Sequence, residues 1–226
     1  MRFTLHTHQG PTLEARLKDL NGPAEVFGAG EYSDSLVDWS GVNYVMDVGA
    51  HVGGFALWTA SRSDCRVVSL EPDPDVRRIL ESNVRRQGWG DRILVLPWAL
   101  AGGRGSRSLR PAADSTATMF ASDTAQGDLE VETIGLSDAI AAAAFPRVDL
   151  LKIDIEGAEY EVFAALEPEG LLSVAVCVIE CHPVPGASID SILEKLKAAG
   201  FAVTTTVKPN DLVLVTARRV AGEIAG

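Results

Sequence analysis

An α/β fold built on a mostly parallel sheet is predicted by three features of the chain. Short apolar runs alternate with stretches of helical periodicity over most of its length. The run Tyr44-Val-Met-Asp-Val48 leads into Gly49-Ala-His-Val-Gly-Gly54, an apolar strand followed by a glycine-rich turn and a helix start. A second apolar run, Val67-Val-Ser-Leu70, ends in the carboxylate of Glu71. With 226 residues, 46% hydrophobic and 23% charged, the chain suits a single domain with a large buried core.

Each element has a local reason. Val42 to Val48 reads as the first strand, with a helix from Gly54 to Arg62. Arg66 to Leu70 is the second strand. The helix Asp73 to Gln87 follows, with Pro74 in its first turn and Gly88 as its stop. Arg92 to Leu96 and Val148 to Ile153 are further strands, the latter followed by a helix over 158–166 closed by Pro168 and Gly170. Val174 to Ile179 is a fifth strand and Ser188 to Ala199 a helix ended by Gly200. Phe201 to Val207 and Asp211 to Ala217 form a hairpin around Lys208-Pro-Asn210, an antiparallel edge.

Two regions leave this rhythm. Residues 1–41 read either as a lid over the open end of the sheet or as an N-terminal packing arm. Residues 101–136 are rich in Gly, Ser, Thr and Ala and read as an irregular insertion near the substrate site. Short strands at 106–109 and 129–134 flank a loop at 113–122, and a long loop in a small domain is more often functional than accidental.

Charge and cysteine content exclude several classes. A formal net charge of −11 argues against a nucleic-acid partner, because neutralising phosphates needs clustered Lys and Arg. Cys65, Cys177 and Cys181 are too few and wrongly spaced for a zinc cluster, and Cys177 and Cys181, four apart in a strand, read as small buried hydrophobes. The N-terminus lacks a long apolar stretch and no run reaches transmembrane length, so a cytoplasmic protein without a membrane partner is expected.

The glycine-rich turn selects among nucleoside ligands. A pyrophosphate cofactor needs glycine at the second turn position, and His51 stands there. Asp47, at the mouth of the turn, repels pyrophosphate and attracts an amino group or a sulfonium. S-adenosyl-L-methionine is therefore a better ligand than NAD. Gly49 and Gly53 let the backbone turn close to it, and Glu71 accepts from the ribose hydroxyls. Glu71 also reads as a helix N-terminal carboxylate, an effect of only about 0.3–1 kcal/mol. His51 reads equally as ligand-shaping or passive. Trp98 and Ala99 are placed to border adenine, although core packing is the simpler reading of the Trp98 side chain.

Two further blocks carry candidate chemistry. In Asp149-Leu-Leu-Lys-Ile-Asp-Ile-Glu-Gly-Ala-Glu-Tyr160, alternation puts Lys152, Asp154 and Glu156 on one side. Lys152 then reads as an ion-pair partner that orients Asp154, while Asp154 and Glu156 border the substrate. Glu159 and Glu161 look like helix-surface charges. In Ile179-Glu-Cys-His-Pro183, Glu180 and His182 share a face if the strand continues, which makes His182 a candidate general base. These four acidic and imidazole groups could in principle hold a divalent cation, but the chain has no dedicated metal loop, and no metal is expected.

These blocks resemble the FkbM family of S-adenosylmethionine-dependent methyltransferases. The matching stretches are Met46-Asp-Val-Gly-Ala-His-Val-Gly53, Val68-Ser-Leu-Glu-Pro72 and, most specifically, Leu151-Lys-Ile-Asp-Ile-Glu-Gly-Ala-Glu-Tyr160; the likeness spans about residues 26–182 and includes Gly30-Glu-Tyr32 and Ala99-Leu100. It implies the class I methyltransferase Rossmann-like fold, a seven-stranded mostly parallel sheet with helices on both faces and an antiparallel last strand. It also implies O-methylation of hydroxyls on sugars, polyketides and other secondary metabolites. Asp47, Gly49 and Glu71 carry over as cofactor contacts, and Asp154 borders the reaction centre. His51 departs from the usual Asn, and Gly135-Leu-Ser-Asp138 from a Leu-Asp pair.

The resulting expectation is an S-adenosylmethionine-dependent O-methyltransferase acting on a small-molecule or sugar hydroxyl, with a homodimer left open. Its expected cofactor set is Glu31, Tyr32, Asp47, Gly49, Ala50, His51, Gly53, Glu71, Pro72, Ala99 and Asp154. Asp154, Glu180 and His182 are the catalytic candidates, and Ser115, Thr116 and Glu156 face the acceptor. The rivals are an NAD-dependent oxidoreductase and a catalytically silent S-adenosylmethionine-binding module.

Overall fold

The apolar run around Met46 becomes β3 (Tyr44–Val48), the middle of the sheet in a computed structural model that describes residues 2–7, 10–29, 32, 36–110, 119–120 and 128–220. β3 pairs in parallel with β4 (Arg66–Leu70) on one side and with β10 (Val148–Ile153) on the other. Beyond β4 lies β5 (Ile93–Leu96). Beyond β10 lies β11 (Val174–Cys181), then the hairpin of β12 (Phe201–Val207) and β13 (Val213–Arg219). The order is β12-β13-β11-β10-β3-β4-β5, and β13 runs antiparallel to both of its neighbours. The hairpin lies at the expected edge, with its first strand outermost. The winding direction switches between β3 and β10, where a crevice opens at the carboxyl ends of the strands.

Alternation along each strand builds a core on both faces. Val45, Val67, Leu150 and Val178 pack against α2 (Gly54–Ala60) and α3 (Pro74–Arg86). Met46, Val68, Leu151 and Cys177 pack against α4 (Leu136–Ala142), α5 (Glu159–Ala165) and α6 (Asp190–Ala198). Each fully buried aliphatic side chain contributes roughly 1.5–3 kcal/mol. Cys177 and Cys181 sit in this second core, where burial pushes both thiols up to about 12. Helix α3 begins as its sequence dictates, with Asp73 accepting from the backbone N–H of Asp75 at 2.8 Å and Pro74 in the first turn.

The described residues of the two regions outside the rhythm form regular elements. β1 (Arg2–His6) and β2 (Thr12–Arg16) form a hairpin laid on α3, where the Asn83 amide exchanges hydrogen bonds with the Glu14 backbone at 2.7 and 2.9 Å. A short helix α1 (Asn21–Ala24) and a π-helical turn (Glu25–Ala29) then approach the crevice. In the second region β6 (Ala99–Leu100), β7 (Gly105–Arg110), β8 (Met119–Phe120) and β9 (Leu129–Ile134) form a separate sheet of order β6-β9-β7-β8. Sequence alternation missed α4, because Gly135-Leu-Ser-Asp138 reads as a strand end; Leu136 and Ala139 insert into the core and decide for helix. Among the described residues no helix is long and apolar enough to cross a membrane.

Candidate active site

The crevice at the carboxyl ends of β3, β4, β10 and β11 is a cavity roofed by the α1 region and flanked by β6 to β8. Of the expected residues, Tyr32, Gly49, Ala50, His51, Glu71, Pro72 and Ala99 line it, as do Asp154, Glu156, Glu180 and His182. Glu31, Ser115 and Thr116 lie outside the described residues. Asp47 and Gly53 are not part of the lining.

Asp47 is buried behind Lys152, its directly paired neighbour across β3 and β10. The Lys152 ammonium lies 3.6 Å from Asp47 and 3.2 Å from Asp154, and donates to the Gly49 carbonyl at 2.8 Å. Burial opposes the lysine's charge, but Asp154, Asp47 and Glu180 together hold its pKa above the ordinary lysine value. Burial raises the pKa of Asp47 against the pull of Lys152. The reading of Asp47 as a direct ligand contact is therefore corrected: it anchors the lysine that orients Asp154.

The glycines also have reasons other than ligand approach. Gly49 has φ +74°, and a Cβ there would lie 1.8 Å from the Asp154 carbonyl oxygen. Gly53 has φ +95°, and a Cβ would meet Leu80 at 2.4 Å. The turn is glycine-rich because β10 and α3 press on it. His51 itself adopts φ +52°, and its backbone N–H donates to Glu71 at 2.8 Å. The other Glu71 oxygen accepts from Asp73 N–H at 2.9 Å, so the helix-terminus reading of this carboxylate holds, and each oxygen keeps a further lone pair. Burial pushes Glu71 up to about 7, despite those two donors.

After β10 the chain turns sharply, with Glu156 at φ +56° and Gly157 at φ +101°. This turn leaves the N–H groups of Ile155 and Gly157 without ladder partners. Glu159 accepts from both, at 3.1 and 2.9 Å, and also faces His182 Nδ1 at 3.1 Å. Glu159 is fully buried, so its reading as a surface charge was wrong. A carboxylate in the first turn after a glycine was the available signal. Glu161 is partly exposed and pairs with Arg107 at 2.6 Å.

The other imidazole nitrogen, Nε2, lies 3.3 Å from Glu156 and 3.9 Å from Asp154. Burial would discharge His182, but hydrogen bonding to Glu159 and the charges of Glu159, Glu156 and Asp154 hold its pKa up at about 9. Glu156, raised by burial and then by Asp154, sits at about 7. The carboxylates around the ring thus favour the imidazolium form of His182 over the neutral base. Asp154, Glu180 and His182 present ligand atoms within 4.8 Å of one another, and Asp154 is also paired with Lys152 at 3.2 Å. The group behaves as an ion-pair network. Glu180, on β11, accepts from the Tyr32 hydroxyl, and Tyr32 packs edge-on against Phe55 at 4.7 Å. That contact ties the N-terminal segment to the crevice.

These shifts set a pH dependence of stability. Glu71 and Glu156 ionise less readily in the folded chain, and His182 keeps its proton longer, so the folded state binds more protons between about pH 4.5 and 9. The His182 contribution is complete below its unfolded value near 6.5 and is lost as pH rises through about 9. The carboxyl contributions fade from about 4.5 through 7. The thermal midpoint should therefore fall by at least about 10 °C from pH 5.5 to 9. A flat or rising midpoint in calorimetry contradicts this network.

Comparison with known proteins adds a family to this geometry. The family model described as the methyltransferase FkbM domain matches residues 47–203. The chain belongs to this family. A relative, the hexuronic acid methyltransferase AglP of Haloferax volcanii, is 26% identical over 210 residues, covering 90% of this chain and 80% of its own. The 31-O-demethyl-FK506 methyltransferase FkbM of Streptomyces tacrolimicus is 34% identical over 99 residues, 42% of this chain and 38% of its own. Among solved structures, a putative rRNA-methylase from Clostridium thermocellum superposes with a TM-score of 0.53 at 11% identity, covering 85% of this chain and 96% of its own. Its likeness concerns the fold alone. This FkbM-family chain is a methyltransferase with the class I methyltransferase α/β fold.

Proposed function

We propose that the protein transfers the methyl group of S-adenosylmethionine to a hydroxyl oxygen of a small metabolite, sugar or natural product. The observation that carries this reading is the acidic crevice at the switch point: carboxylates from β4, β10 and β11 converge there, beside a turn whose second position is His51. Such a crevice suits a sulfonium and repels pyrophosphate. The residues fit the cofactor. The remaining lone pairs of Glu71 would accept from its ribose hydroxyls, and Pro72, Trp98 and Ala99 would border its adenine. When bound, S-adenosylmethionine supplies an electrophilic methyl, which the acceptor oxygen takes as the S–C bond breaks and its electron pair returns to sulfur.

The chain's own residues supply position and a proton acceptor. Glu156 takes the hydroxyl proton, since its pKa of about 7 suits a base at neutral pH. The His182 imidazolium holds Glu156 by its ion pair, and Glu159 holds His182 from behind. Lys152 fixes Asp154 at the edge of the crevice. Fixing the two reacting atoms is worth up to about 7–11 kcal/mol, and the base about 10²–10⁴-fold.

Calorimetry should show S-adenosylhomocysteine binding and no binding of NADH, with Glu71→Ala weakening the former at least tenfold. Glu156→Gln should leave that affinity intact and reduce methyl transfer about 10²–10⁴-fold. Absence of S-adenosylhomocysteine binding sinks the reading.

A further inference from the structure

The charge of the crevice constrains the acceptor, an argument that rests on the methyl-transfer reading of the same site. Six acidic side chains line the cavity, Glu25, Glu71, Asp73, Asp154, Glu156 and Glu180. Lys152 is the sole lysine or arginine among the described lining residues. Its ammonium is committed to Asp154, Asp47 and the Gly49 carbonyl, and the His182 imidazolium lies between Glu156 and Glu159. Arg77, behind the turn after β4, directs its guanidinium to the carbonyls of Glu71 and Pro72 at 3.1 and 3.0 Å. Arg104 and Arg107, over the lining rings of Trp98 and Phe120, are paired with Asp138 and Glu161 at 3.0 and 2.6 Å. Residues 111–118 and 121–127 contain Asp114 and Asp123 but no lysine or arginine, and every lysine and arginine of the chain falls among the described residues.

We infer that the acceptor carries no anionic group, and that hydroxyl acceptors bearing an amine are preferred over neutral ones, with carboxylates and phosphates rejected. With Glu71 and Glu156 raised to about 7, the field at neutral pH comes mainly from the other acidic lining groups; an anionic acceptor would be desolvated beside them with no uncommitted lysine or arginine in the lining, whereas an ammonium gains from the same field. This separates the chain from its relative named for a hexuronic acid, which is 26% identical to it.

One arm of the test needs no acceptor. Leu212 lines the cavity and is partly exposed, and the native cysteines are buried, so Leu212→Cys places one reactive thiol in the crevice. Its rates with a trimethylammonium-bearing and a sulfonate-bearing methanethiosulfonate, each normalised to a free thiol in solution, should differ at least tenfold in favour of the cation. Equal rates, or a faster anion, overturn the inference; Phe120→Cys repeats the measurement from β8 if the first variant does not fold. The second arm compares methyl transfer from labelled S-adenosylmethionine to a methyl glucoside, its 2-amino analogue and the glucuronide. The glucuronide should run at least tenfold below the neutral sugar, and equal turnover overturns the inference. Failure of S-adenosylhomocysteine to bind defeats the methyl-transfer reading instead, and the thiol ratio still decides the charge.

Discussion

Lys152→Met should lower the free energy of unfolding by about 3–5 kcal/mol, measured by urea denaturation at pH 7.5. The methionine keeps most of the volume and removes only the charge. Asp47 is then left fully buried with the ammonium that compensates it gone, and Asp154 and Glu180 lose the same partner. An uncompensated buried carboxylate either takes a proton or carries a large desolvation cost. The loss should therefore shrink as pH falls and Asp47 is protonated. Adding Asp47→Asn should recover more than about 1 kcal/mol, because it removes the most deeply buried of the orphaned charges. A single variant within about 1 kcal/mol of the parent at pH 7.5 would mean that the lysine is not the keystone of the sheet's carboxyl end. Any recovery should appear in stability and leave turnover low, since Asp154 stays unheld.

Gly49→Ala should be nearly as damaging, by about 3 kcal/mol or more, and should abolish S-adenosylhomocysteine binding in calorimetry. A left-handed backbone at an alanine costs about 1 kcal/mol by itself. The larger part is steric. The added carbon would lie 1.8 Å from the carbonyl oxygen of Asp154, which is backbone and has no rotamer to change. Relief requires β3 and β10 to part at their carboxyl ends, where Asp154 N–H donates to the Val48 carbonyl at 3.1 Å. By contrast, Gly88→Ala at a comparable φ of +71° meets nothing within 4 Å and should cost only the backbone term. Similar losses at the two positions would remove the steric argument.

The comparison of these glycines shows how far local pattern reaches. Both stand out in the sequence, one as a turn in a ligand motif and the other as a helix stop. Nothing in the local sequence says that the first lies under a carbonyl 105 residues away while the second faces open space. Strands and long helices were legible because their residues repeat at period 2 or 3.6 against a core. Helix α4 and the β1–β2 hairpin were not, since each is decided by what it packs on: the core under Leu136 and the Asn83 amide on α3. The position of Glu71 was legible because it terminates a strand. Glu159 was not, because a glutamate in the first turn of a helix looks the same whether exposed or, as here, turned inward to two backbone N–H groups and an imidazole.

From its order of residues alone the chain specifies a parallel sheet, a glycine turn, an acidic strand end and the family signature around Asp154. All of these are short-range, and backbone sterics and side-chain alternation suffice for them. Only the tertiary structure assigns the charges. Parallel pairing sets Lys152 beside Asp47, and burial leaves Asp47 behind the site without lining it, while the carboxylates around His182 favour its protonated form and burial raises Glu156. A protonation state depends on which charges share a volume poor in water, and folding alone determines that.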